Sequence, residues 1–81
     1  MDKEVLKQAG LTEGEIHVYD FLLHEGESTA GEIIKGVDLK RGTVYNILRS
    51  LAAKGLTEQF EKNKVSHFRL DHPSKLKEYV Q

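Results

Sequence analysis

At 81 residues the chain has room for one domain, and a domain this small buries only about 60% of the surface its unfolded chain exposes. An apolar content of 38% against 31% charge lies well away from the composition of disordered chains, no apolar run is long enough for a membrane-crossing helix, and the lack of cysteine removes disulfides, thiol nucleophiles and thiolate metal sites. The net charge of −1 taken alone speaks against nucleic acid as a partner, and the opening MDKEVLKQAG has no apolar region of the signal-peptide kind, so a cytoplasmic protein is expected.

Val5, Leu6 and Ala9 make one or two amphipathic turns, closed by Gly10. Thr12 and Glu15 then stand at the capping-box spacing, in which each side chain satisfies the other residue's backbone N–H. Ile16, Tyr19, Leu22 and Leu23 follow at helical spacing, and Gly26 ends the helix. A second capping box, Thr29 and Glu32, leads into Ile33 and Ile34, and this brief helix is expected to stop around Gly36, ahead of a turn at Asp38. Val44, Ile47, Leu48 and Leu51 fall at i, i+3, i+4 and i+7, with Gly55 closing the segment after Lys54.

From Leu56 the period changes from 3.6 to 2, and two strands flank a turn at Lys62-Asn63-Lys64. A three-residue loop puts Leu56 and Phe60 on one face with Phe68 and Leu70; a two-residue loop sends Phe68 and Leu70 to the other face and is the poorer register. Pro73 suits a first helical turn, with Leu76, Tyr79 and Val80 at helical spacing after it. The expected fold is therefore mainly α with a small β-hairpin. It is a winged helix-turn-helix with a three-helix core, a two-stranded wing and flanking terminal helices. Residues 1–81 form a single domain, with the helix-turn-helix over about 28–55, the wing over about 56–70 and a C-terminal helix over about 73–81.

Charge is divided along the chain. Residues 1–34 hold eight acids against Lys3 and Lys7, a local charge of −6, whereas residues 35–81 hold ten bases against five acids, a local charge of +5. The stretch from Leu39 to Thr57 contains no acid at all. In a helix-turn-helix the second helix lies in the major groove. With Val44, Ile47, Leu48 and Leu51 turned inward, its outer face holds Gly42, Asn46 and Arg49, flanked by Thr43 and Tyr45. Asn46 can pair bidentately with adenine, Arg49 can take guanine or a phosphate, and Gly42 lets the backbone come close. Lys40 and Arg41 are placed to hold phosphates, beside helix N–H groups that no side chain caps. Lys62, Lys64 and Arg69 are the candidate backbone contacts of the wing, although charged turns also serve solubility alone.

The segments LTEGEIHVYDFLLHEGESTAGEI and LKRGTVYNILRSLAAKGL together resemble the TrmB-type winged-helix DNA-binding domain of archaeal and bacterial transcriptional regulators. The likeness runs from about Ala9 to Leu70. Its more specific elements are Leu11 to Glu13, Val18-Tyr19, Thr29 to Ile33, Val44-Tyr45, Leu48 to Leu51 and Lys54 to Leu56. The resemblance implies operator binding as a dimer, with Arg41, Gly42, Thr43, Tyr45, Asn46 and Arg49 as the positions to carry over. Three features depart from the family pattern: Asp38 stands where glycine is common, Lys40 where proline or serine is common, and no effector domain follows. No small-molecule effector is therefore expected in this chain.

No enzyme is expected. Gly26, Gly31, Gly36 and Gly42 read as helix punctuation and make no phosphate-binding loop. His17, His24, His67 and His72 carry no zinc-binding pattern, so no metal or cofactor is expected. Val5, Leu6, Leu76, Tyr79 and Val80 exceed what so small a core buries, which points to a homodimer through the terminal helices. The alternative function is a winged-helix module for protein contacts, built on the acidic first helices or on Tyr45 and Val65.

Overall fold

The computed structural model describes residues 3–71. The elements in order are α1 (Lys3–Gln8), α2 (Glu13–Glu25), β1 (Ser28–Thr29), α3 (Ala30–Val37), α4 (Arg41–Ala53), β2 (Thr57–Lys62) and β3 (Val65–Leu70). Helices α2, α3 and α4 pack on one another, α1 lies against α2, and the strands form an antiparallel sheet in the order β1-β3-β2. This is a winged-helix architecture, mostly helical with a small three-stranded sheet. The core is formed by Val18 of α2, Ile33 of α3 and Val44 and Leu51 of α4, all fully buried, with Leu56 and Phe68 closing it from the sheet side. The helix expected over 73–81 lies outside the described residues, and among those described no helix is long and apolar enough to cross a membrane.

Both capping boxes are present. The Thr12 side chain accepts from the Glu15 N–H at 3.2 Å while Glu15 Oε1 accepts from the Thr12 N–H at 2.9 Å, and Thr29 and Glu32 repeat the arrangement at 3.2 and 2.8 Å. Each box satisfies two of the backbone donors that a helix start leaves open. The acceptance also holds the exposed Glu32 carboxyl below its ordinary value, chiefly through the hydrogen bond from the Thr29 backbone.

Four expectations need correction. Helix α3 ends at Val37, within one residue of the expected point, with Asp38 in the left-handed conformation (φ 55°, ψ 46°) making the expected turn; what needs correction is the reading of Gly36 as helix punctuation. Gly36 serves packing instead, because a Cβ there would fall inside the Phe21 ring. The hairpin loop has two residues, with Lys62 paired to Val65. Asn63 (φ 54°) and Lys64 (φ 65°) both take positive φ, the pair of angles that a type I′ turn needs to match the strand twist. Because side chains alternate along a strand, this register joins Thr57 and Gln59 to Phe68 and Leu70 on the inner face and turns Phe60 outward, opposite His67. Phe60 therefore does not share a face with Phe68, and Leu56 enters the core from the turn before β2.

The third correction is β1, which the sequence pattern does not mark. Its two residues pair with β3 through Ser28↔Phe68 and Thr29↔His67, making a three-stranded sheet of the expected two-stranded wing. The fourth is Leu6, which is 1% exposed and belongs to the core, whereas its neighbour Val5 is 41% exposed. Leu6 is thus spent within the fold and offers nothing to a second copy.

Candidate nucleic-acid interface

Helix α4 starts at Arg41 because Lys40 takes an extended conformation (φ −67°, ψ 150°), and among the described residues no side chain caps that start. The turn Asp38-Leu39-Lys40 before it is set by the left-handed Asp38, while half-buried Leu39 packs on the core. Val44, Ile47, Leu48 and Leu51 are buried, so rotation about the helix axis is fixed. The outer face then presents Arg41, Gly42, Thr43, Asn46 and Arg49, all exposed, with Lys40 exposed beside them. Tyr45 is half-buried against the core and is the least accessible of the predicted reading residues.

Two details bear on what this face can do. A Cβ built at Gly42 would meet nothing within 4 Å among the described residues, so packing within them does not require glycine at that position. Asn46 and Arg49, one turn apart, are joined by a hydrogen bond from Arg49 Nη1 to Asn46 Oδ1 at 3.3 Å. A guanidinium carries five donors, so Arg49 keeps most of its donors for a partner.

The wing cations are not alike. Lys62 Nζ lies 3.4 Å from Glu27 Oε1. Arg69 is paired with Glu58 and lies over the Phe60 ring, 4.6 Å from its centroid, while Phe60 stacks on His67 at 5.6 Å. These groups occupy the sheet face directed away from α4. Lys64 sits exposed in the turn itself. The structure thus brings Lys40, Arg41, Gly42, Thr43, Asn46 and Arg49 onto one surface. Lys64 stands at the wing tip, and Lys62 and Arg69 are held in ion pairs with carboxylates.

Between α4 and the inner face of the sheet runs a cleft of about 300 Å³, lined by Tyr45, Arg49 and Ala52 from the helix and by Gln59, Ser66 and Phe68 from the strands. Gln59 and Ser66 face it because of the two-residue loop. Sequence reasoning placed the wing on its cations and missed this pair. The available signal was the Asn63-Lys64 dipeptide, since asparagine tolerates the left-handed conformation that a two-residue turn demands.

The orientation of α4 is held from beneath by Glu15. Its side chain is 3% exposed, and Lys54 Nζ lies 2.7 Å from both carboxylate oxygens. The Ser50 hydroxyl donates to Oε2 at 2.6 Å. Burial alone would raise the Glu15 pKa, but the hydrogen bonds from Lys54, Ser50 and Thr12 overcome it and hold the carboxyl down to about 2. One carboxylate therefore caps α2 and clamps the C-terminal end of α4. The histidines are elsewhere: His24 Nδ1 lies 3.4 Å from Asp20 Oδ1, His67 lies against Phe60, and His72 is outside the described residues. Among the described residues no group of three or more His, Asp or Glu side chains is arranged to hold a metal ion.

A helix-turn-helix with an acid-free outer face and a hairpin wing defines a winged-helix module of the kind transcriptional regulators carry. The chain belongs to the TrmB family: residues 6–77 match the family described as sugar-specific transcriptional regulator TrmB. Among solved structures it is similar to a protein described as "possible transcriptional regulator" from Methanosarcina mazei Go1, at 18% identity and a TM-score of 0.82, over 98% of this chain and 72% of that one. It is also similar to TrmBL2, described as an archaeal chromatin protein with a novel mode of DNA binding, at 27% identity and a TM-score of 0.75, over 89% of this chain and 28% of that one. A curated relative, the phenylalanine–tRNA ligase alpha subunit of Metallosphaera sedula, is 34% identical over 67 residues, 83% of this chain. The chain spans 14% of that relative's length.

Proposed function

We propose that this chain binds double-stranded DNA sequence-specifically as part of a transcriptional regulator, with α4 in the major groove and the wing tip on the backbone. The observation that carries the reading is the exposed face of α4, which holds Arg41, Gly42, Thr43, Asn46 and Arg49 and no carboxylate, in a chain whose net charge is −1. A helix selected only for solubility has no reason to avoid acids; one that approaches phosphates does. Asn46 is the base-edge candidate, and Arg49 can take a guanine edge or a phosphate. Lys40, Arg41 and the uncapped N–H groups of α4 suit phosphates, and Lys64 reaches outward from the turn. Family membership and the likeness to a DNA-binding chromatin protein support the reading.

The test is fluorescence anisotropy with labelled duplex over a range of salt. Log affinity should fall with log salt with a slope near −0.9 for each phosphate neutralised, and Arg41→Ala plus Arg49→Ala should weaken binding and flatten that slope by about 2. No binding at high micromolar protein, or binding unchanged in the double variant, would return the protein-contact reading to the front. Selection of bound sequences in the same format addresses specificity. A homodimer through the terminal helices, of which exposed Val5 is the described part, predicts paired half-sites among the selected duplexes.

A further inference from the structure

We infer that the cleft between α4 and the inner face of the sheet seats one backbone phosphate and its attached sugar, held by Arg49, Gln59 and Ser66; this rests on the DNA-binding reading above. Gln59 Nε2 donates to Ser66 Oγ at 3.1 Å. That bond uses one amide hydrogen and one hydroxyl lone pair. It leaves the second amide hydrogen and the hydroxyl hydrogen to be given away, and both belong to residues that line the cleft with Arg49. Three neighbouring donors, one of them charged, match the acceptors of a phosphodiester. The rest of the wall is formed by Tyr45, Leu48, Ala52, Thr57 and Phe68, of which Leu48, Ala52 and Phe68 give apolar surface suited to the C–H face of a deoxyribose.

Charge placement agrees with this assignment. Among the described residues no carboxylate lines the cleft. The one acid on the inner face of β2 and β3, Glu61, stands opposite Ser66 beyond the cleft lining. The wing would therefore grip the backbone through neutral donors on its inner face, while the outer-face cations stay engaged with Glu27 and Glu58.

The salt dependence of duplex affinity separates this arrangement from a purely cationic one. With random-sequence duplex, Gln59→Ala plus Ser66→Ala should weaken binding about tenfold or more, and the salt slope should not change because no cation is lost. Arg49→Ala alone should lower the slope by about 0.9. Ser66→Glu, which sets a carboxylate against the phosphate, should abolish binding, whereas His24→Glu at an exposed position of α2 should bind as the unsubstituted chain does. If Ser66→Glu binds normally while Arg41→Ala weakens binding, the assignment is wrong and DNA binding stands. A loss of affinity in the paired alanine variant that is matched by loss of folded protein in thermal melts would also overturn it. Failure of the unsubstituted chain to bind any duplex would remove the DNA reading and this one together.

Discussion

Gly36 and Gly42 look alike in the sequence, each a glycine in a helical stretch, yet their surroundings assign them opposite roles. At Gly36 a methyl group would collide with the Phe21 ring, which is half-buried and packs on the core. At Gly42 it would meet open space. Gly36→Ala should therefore destabilise the fold by about 1–2 kcal/mol, the steric cost exceeding the helix-propensity gain. Gly42→Ala should leave stability unchanged or raised by about 0.5 kcal/mol. Urea denaturation reads both. If Gly42 is where the backbone meets DNA, the alanine variant should nonetheless lose duplex affinity. A variant that binds normally would make this glycine incidental.

At the scale of elements, the hairpin decides which side chains face α4. Lys64 takes φ 65°, a conformation that costs a residue with a Cβ about 1–2 kcal/mol and a glycine almost nothing. Lys64→Gly should stabilise the domain by about 0.5–1 kcal/mol, after allowing for the greater freedom of glycine in the unfolded chain. The same change removes the exposed cation of the turn and should lower the salt slope of DNA binding by about 0.9. A variant both more stable and less salt-sensitive would place Lys64 at the backbone. One that gains stability with an unchanged slope would leave the lysine as a solubility residue.

Across the whole molecule, α2 and α4 are joined by the ion pair between buried Glu15 and half-buried Lys54 as well as by apolar packing. The Glu15 pKa is lowered to about 2 in the folded state from an ordinary 4.5, so between these values the unfolded chain binds more protons. The stabilisation is complete above about pH 4.5, is lost as pH falls toward 2, and amounts to about 3 kcal/mol. Glu15→Gln should therefore flatten the acid limb of a stability-against-pH curve. At neutral pH it should cost about 1–3 kcal/mol, since an amide oxygen accepts from Lys54 and Ser50 more weakly than a carboxylate does. An acid limb that keeps its steepness in the variant would assign it to other carboxylates. Because the pair fixes the far end of α4, its loss should also weaken DNA binding at temperatures where the variant remains folded.

Local patterns were enough to specify helices α2, α3 and α4. The capping boxes at Thr12 and Thr29 and the spacing of Val44, Ile47, Leu48 and Leu51 involve residues within a turn or two of one another, so the chain carries them without reference to distant parts. The acid-free face of α4 is legible for the same reason: once the buried stripe is known, the opposite face follows from the helical period. Only the tertiary structure decided the rest. Gly36 is explained by a ring fifteen positions earlier, and Leu6 proves to be core because α1 lies on α2. Glu15 gains its second role from residues 35 and 39 positions away. The face of Phe60 turned on whether the loop held two residues or three, a difference that alternation within either strand cannot register. Each of these depends on contacts between segments distant in sequence, and no local period records them.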